Sequence, residues 1–475
     1  MADIDRLLQG ASSHSESVPR GADYPLFVAL VALLVWVPLP LGSNRPWSWA
    51  LMQAWILVIG TLWLWGAVRG RWSVTPALLR ARWVLALFGV WIAWGLAQMI
   101  PVPGSLLVLL SPGAAEIYAD AGVVGWVPIT LDSHASLIVW VGGVGYLTLF
   151  CLILLLVHGR QRLYALASIL VLAALAQAMF ASLMALSGTR FWFGAANSYA
   201  HGSFPNRNHL AGFLEMSIAL GIGLLMAQLD PDGAGSSWRQ RLRNWTSTLL
   251  GYKARLRIYL AIMVITLVLT GSRMGNTAFF ASILGASLVA LLFYRRLPRS
   301  ALVLLVSLVL VDLFILGSWF GLDRVRERLE KTVLTQEERY HVDVHGLGYL
   351  DDFWVSGSGG GTFAVVFPGY RDQGIAPHLY VHAHNDYLES LLEYGVLGLV
   401  LPGGIVLLSV AAALRVLYRR RDPLPRGMAF ASLMGIMAIL IHSTADFNLH
   451  IPANAALFVV LISLPWLGLD GGHRH

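Results

Sequence analysis

SLIVWVGGVGYLTLFCLILLLV, residues 136–157, runs for 22 residues without a charged side chain. At 1.5 Å of rise per residue, a helix of that length covers about 30 Å, the thickness of a bilayer's hydrocarbon core. The segment therefore reads as a transmembrane helix, and similar runs recur along the chain. We place spans at 24–42, 48–67, 82–100, 136–157, 163–187, 208–229, 257–271, 277–294, 300–319, 385–414, 427–445 and 452–469. Of the 475 residues, 57% are hydrophobic and 12% charged, and the mean hydropathy is +0.67. An average soluble domain is about 25% charged, so the composition excludes an ordinary soluble fold. The expected fold class is all-α, a polytopic membrane helical bundle of about twelve transmembrane helices with one large extramembrane loop.

The charges sharpen the topology. The net charge of +7 and pI near 9.6 come from arginines clustered between spans, which suits membrane orientation better than nucleic-acid binding. With residues 1–23 as a cytoplasmic tail, the inside loops hold Arg69, Arg71, Arg80 and Arg82, then Arg160 and Arg162, then the group from Arg239 to Arg257, then Arg295, Arg296 and Arg299, then Arg419, Arg420, Arg421 and Arg426. Every one obeys the positive-inside rule. The division expected is transmembrane helices 1–9 over 24–319, a large outer loop over 320–384, helices 10–12 over 385–469, and a cytoplasmic C-terminal tail over 470–475.

Two outer loops are long. Residues 101–135 include a candidate interfacial helix, and 320–384 opens with the charged helical stretch DRVRERLEKTVLTQEERY (323–340), which reads as the start of a lid. The single cysteine, Cys151, lies inside an apolar run, where neither an intramolecular disulfide nor a cysteine metal site is available.

Four arginines sit on the outer side against the charge bias: Arg45, Arg190, Arg207 and Arg273. Arg207, in SFPNRNHLAG, and Arg273, in TGSRMGN, lie at outer span ends among small and amide residues. One reading is snorkelling to headgroup phosphates. The other is a pair of planar guanidinium forks matching the oxygens of a diphosphate. At a third outer span end stands HAHNDYLESLLEYGVLGLVLPGG (382–404), with His382, His384, Asn385, Asp386 and Glu389. His384 is the candidate general base, because imidazole titrates near neutral pH; a helix cap is the structural alternative. In helical register, Asp386, Glu389, Ser390 and Glu393 form a polar stripe expected to line a wet cavity.

Metal binding by His382 and His384, with His378, His341 and His345, finds no HExxH spacing, and we expect no metal and no cofactor. SGSGGG (356–361) lacks the Lys-Ser/Thr ending of a nucleotide loop and reads as a sharp turn or a backbone nest. Asp446, with His442 and His450, reads as a capped span end.

HNDYLESLLEYGVLGL follows the pattern His-Asn, nine residues, Gly, two residues, Gly, preceded by GSGGGTF, FPNRNHLAGF and GSRMG. In these motifs the chain resembles the O-antigen ligase and polysaccharide polymerase superfamily, over roughly residues 190–450. The resemblance implies a GT-C-type glycosyltransferase of the bacterial inner membrane, metal-independent, with its active site facing the periplasm and both termini cytoplasmic. It implies an undecaprenyl diphosphate-linked glycan as donor and either lipid A-core or a lipid-linked glycan as acceptor, with no nucleic-acid partner. Arg207 and Arg273 would hold the donor diphosphate and His384 would act as base, with His382, Asn385, Asp386 and Glu389 in supporting roles. O-antigen ligation to lipid A-core is the expected reaction, with polymerisation as the alternative. A transporter is the alternative of another class.

Overall fold

The computed structural model describes residues 21–188, 199–228, 252–293, 306, 346, 348–370 and 380–469. Its long helices are α1 (Tyr24–Trp36), α2 (Pro46–Val68), α3 (Arg82–Met99), α4 (Ser133–Leu156), α5 (Gly159–Ser187), α6 (Arg207–Met226), α7 (Tyr252–Leu269) and α8 (Arg273–Phe293). After the large loop come α9 (Asp386–Tyr394), α10 (Val396–Arg419), α11 (Pro423–His442) and α12 (Pro452–Gly468). Among the described residues, eight of these are long and apolar enough to cross a membrane: α2, α3, α4, α5, α6, α8, α10 and α11. Leu64, Leu183, Leu292 and Leu407 are exposed on the outer faces of the bundle, where lipid rather than water is the favourable neighbour. The protein is a helical membrane protein.

Local chemistry sets the helix ends. Asp132 accepts hydrogen bonds from the His134 and Ala135 amides to start α4, and Asp422 does the same for Leu424 ahead of Pro423 at the start of α11. Gly188, in the left-handed conformation, closes α5. The expected span 24–42 is helical only to Trp36, since Pro38 and Pro40 lack the amide hydrogen a helix needs. The expected span 385–414 is broken at Gly395 into α9 and α10. The expected span 300–319, the stretch 323–340 and both tails lie outside the described residues, apart from isolated positions.

α6 is the axis of the bundle. Every residue from His209 to Met226 is buried. It meets α11 backbone to backbone: a methyl group on Gly223 would overlap the Gly427 carbonyl, and one on Gly427 would overlap that of Gly223. Small residues permit such close approach where lipid supplies no hydrophobic drive between helices.

The two long loops fold together instead of standing apart. Leu107, Ala114, Val127 and Ile129 of the first pack with Tyr349, Phe353, Phe363 and Phe367 of the second, and Ala383 and Leu392 join the same small core. The expected interfacial helix is a pair, Gly104–Leu110 and Pro112–Asp120, flanked by a two-residue antiparallel pairing of 102–103 with 126–127. This cap seats directly against α9.

Candidate active site

The three motif segments all open helices at one end of the bundle. Asn206 caps α6 by accepting from the Asn208 amide at 2.9 Å, which puts Arg207 at the first helical position. Ser272 Oγ accepts from the Gly275 amide at 3.2 Å and opens α8 at Arg273. Asn385 accepts from the Tyr387 and Leu388 amides at 3.1 and 3.2 Å and opens α9. Helix N-termini carry partial positive charge, so these openings favour an anion before any arginine is counted.

The arginine segments adjoin. The Arg207 guanidinium stacks over the Tyr199 ring at 3.9 Å. A methyl on Gly271, two residues before Arg273, would stand 3.6 Å from Arg207 Nη1. Gly275 brings the first turn of α8 against Ala211 and Glu215 of α6. Arg207 is half-buried and Arg273 exposed.

Asp446 joins the α6 segment to the histidine segment. It accepts a hydrogen bond from Asn208 Nδ2 at 2.6 Å, and its Oδ1 lies 3.6 Å from His209 Nε2 and 3.8 Å from His384 Nδ1. Burial raises the Asp446 pKa, but the neighbouring imidazoles of His209 and His384 outweigh it and hold the carboxyl well below its usual range. His384 has φ of +54°, a left-handed conformation costing a non-glycine residue about 1 kcal/mol. Its Nδ1 is buried against Asp446, while the side chain as a whole remains 31% exposed. Phe447 partitions the site: its ring stacks on His382 at 4.3 Å and meets His384 and His209 edge-on at 4.8 and 4.7 Å.

The acids of α9 are placed differently from expectation. Asp386, Glu389 and Glu393 are buried and face protein, not a wet cavity. Each has partners that make burial tolerable. Asp386 accepts from Ser443 Oγ at 2.5 Å and the Leu449 amide at 3.2 Å, and pairs with His450 Nδ1 at 2.8 Å. Glu389 Oε1 lies 2.7 Å from His382 Nδ1 and 3.2 Å from His450 Nε2, while Oε2 takes the Ala383 amide at 2.8 Å. Burial pushes Glu389 up, yet these imidazoles and the amide prevail and hold it low. Glu393 accepts from the Phe363 amide, and burial followed by the Glu389 charge pushes it up to about 7. Burial disfavours charge on His450, but Glu389, Asp386 and Glu393 push it up to about 10.

His382, Glu389 and His450 present ligand atoms within 4.8 Å of one another, close enough for one cation, although Glu389 Oε1 already bridges the two rings. His378, His341 and His345 lie outside the described residues.

The remaining motif positions are explained by the backbone. Gly395 has φ +63° and ψ −160°, a region open essentially to glycine alone, and a methyl there would overlap the Val355 carbonyl. Gly398 brings α10 against the Ser390 carbonyl. SGSGGG is a sharp turn and not a free nest: the Ser358 and Gly359 amides donate to the Leu392 and Glu393 carbonyls, tying the cap to the end of α9. Gln98, unremarked in the sequence, donates to the Ser356 and Glu393 carbonyls, both at 2.8 Å, and fastens α3 to the same place. The importance of Asp446, His450 and Phe447 had no spacing signal, because the side chains they meet in the histidine segment and α9 lie far back in the sequence: His384 for Asp446 and Phe447, and Asp386 and Glu389 for His450.

Fold and site together define a multi-pass helical membrane protein with an Arg, His and carboxylate cluster gathered at one end of the bundle. Residues 258–403 match the family model described as O-antigen ligase, a likeness to that superfamily over this stretch of the chain. No curated protein matches the chain.

Proposed function

We propose that the chain is an inverting glycosyltransferase of the GT-C type, which moves a glycan from undecaprenyl diphosphate to an acceptor hydroxyl at the periplasmic face of the bacterial inner membrane. The reaction is ligation of O-antigen to lipid A-core. Arg207 and Arg273, at adjacent helix starts, hold the donor diphosphate. The acceptor oxygen attacks the anomeric carbon, the bond from that carbon to the diphosphate oxygen breaks, and the electron pair leaves on the diphosphate. The arginines and helix N-termini stabilise that developing charge. His384 takes the acceptor proton through Nε2, with Nδ1 turned to Asp446. General-base catalysis of this kind contributes typically about 10²- to 10⁴-fold. No metal is required, since the diphosphate is already a good leaving group.

The observation that carries this reading is the Asp446 carboxylate, within 4 Å of both His209 of the arginine segment and His384 of the HN segment. It supports a single reaction centre assembled from both. A transporter would place its polar groups near the bilayer midplane in broken spans, whereas these stand at helix starts.

Reconstitution tests the proposal. The purified chain, given undecaprenyl diphosphate-linked glycan with lipid A-core, should yield glycosylated core and release undecaprenyl diphosphate. Lengthening of the lipid-linked glycan without a core acceptor would make the enzyme a polymerase. Neither product would overturn the assignment.

A further inference from the structure

A cavity stands at the other end of the bundle. It encloses about 750 Å³ and is lined by Arg80, Arg82, Arg415, Arg419 and Arg420 with Trp83 and Trp466. Three helices run between it and the His384 cluster. α3 begins at Arg82 and ends near Gln98, which bonds Glu393; α10 begins beside Gly395 and ends at Arg419; α12 begins two residues after His450 and ends past Trp466. The 24 residues of α10 put roughly 36 Å between the two places.

Some of these arginines are unfavourably placed for the protein alone. Arg82 occupies the first position of α3, where the helix dipole repels a cation. Arg415 and Arg419 are four residues apart on one face of α10, a like-charge pair that destabilises an isolated helix. Among the described residues, no carboxylate lines the cavity. The Arg420 guanidinium is nevertheless anchored, donating to the Leu469 carbonyl. An anion in the cavity would offset all of these repulsions together.

The rim indicates how that anion arrives. Leu79 and Trp83 are 51% and 64% exposed beside the cavity, at the ends of helices whose outer faces suit lipid. Tryptophan at such a boundary marks the headgroup level, and basic pockets between transmembrane helices are suited to phospholipid headgroups. We propose that this cavity binds the headgroup of an anionic phospholipid carrying two phosphates, with its acyl chains lying along the Leu79 and Trp83 rim.

The full-length chain, purified and delipidated in zwitterionic detergent, would be titrated with fluorescent cardiolipin. Saturable binding is expected, at least about tenfold weaker in an Arg82→Gln/Arg415→Gln/Arg419→Gln variant, since each basic residue near a lipid surface contributes appreciably. An Arg69→Gln/Arg71→Gln variant, changed outside the cavity, should bind as the wild type does. Unaltered binding by the triple variant, equal binding of phosphatidylcholine, or equal competition by inorganic diphosphate would each overturn the proposal, the last pointing to a free anion. Should the triple variant fail to fold, Arg82→Gln alone serves. It should lose most of the cardiolipin-induced rise in melting temperature, and an undiminished rise would count against the site.

Discussion

Asp446 Oδ1 stands 3.8 Å from His384 Nδ1, and Asp446 Oδ2 accepts a hydrogen bond from Asn208, the residue after Arg207. The carboxylate therefore positions the base relative to the helix that carries an arginine. Asp446→Asn should lower kcat by about 10- to 100-fold, within the range that general-base catalysis supplies, and leave the donor KM near its wild-type value. In a His384→Ala background it should add little, because residues acting as a unit are not additive. Independent, multiplying losses in the double variant would show that Asp446 acts elsewhere.

His382 and His384 share the Phe447 ring but differ in partners. His384→Asn retains tolerance of the left-handed backbone and should fold normally while losing about 10²-fold or more in turnover. His382→Gln should cost about 1–3 kcal/mol of stability, because Glu389 loses a partner in a buried setting. Turnover and melting temperature measured on both variants separate the roles. A greater turnover loss in His382→Gln would transfer the base to His382, whose Nδ1 is 2.7 Å from Glu389.

Replacing Arg207 tests charge against shape. Lysine keeps the charge but cannot present a planar fork or stack on Tyr199 as guanidinium does. Arg207→Lys should raise the donor KM, and Arg207→Ala should raise it further. A donor KM unchanged in Arg207→Ala and Arg273→Ala alike would remove the diphosphate site from this end of the bundle.

The charge on His450 gives a pH dependence. The folded chain keeps its proton up to about pH 10, while the unfolded chain releases it near 6.5. The stabilisation from pairing with Asp386 and Glu389 is thus complete below pH 6.5 and is lost as the pH rises to 10. One proton allows a slope of at most about 1.4 kcal/mol per pH unit. Melting temperature followed from pH 6.5 to 10 should fall more steeply in the wild type than in His450→Gln; parallel curves would show that His450 is not held protonated.

Gly395→Ala should cost about 2 kcal/mol or more, combining a backbone region closed to alanine with overlap at the Val355 carbonyl. A lower melting temperature in detergent checks it, and a Gly403→Ala control, where a methyl meets nothing within 4 Å, should leave it little changed.

Helices set by long apolar runs were legible in the sequence because bilayer thickness fixes their length: 48–67 became Pro46–Val68 and 82–100 became Arg82–Met99. The break at Gly395 was not, since an apolar run continues across it and only the Val355 carbonyl pressing from the cap demands the turn. Arg207, Arg273 and His384 were visible by residue type. The burial of Asp386 and Glu389 was hidden, because a helical stripe of acids looks the same whether water or histidines face it. His450 supplies that difference from 64 residues beyond Asp386. Likewise nothing in residues 101–135 announces that they pack with 348–370, a pairing made in space by aromatic side chains.

Phe447 cannot hold a proton, yet it touches three imidazoles that can. Exchanging it for a smaller apolar residue would leave every titratable group in place and still let the rings drift. An inventory of reactive side chains would score such a variant as intact. The spacing between reagents is itself encoded, at this position, by a residue with no reactivity of its own.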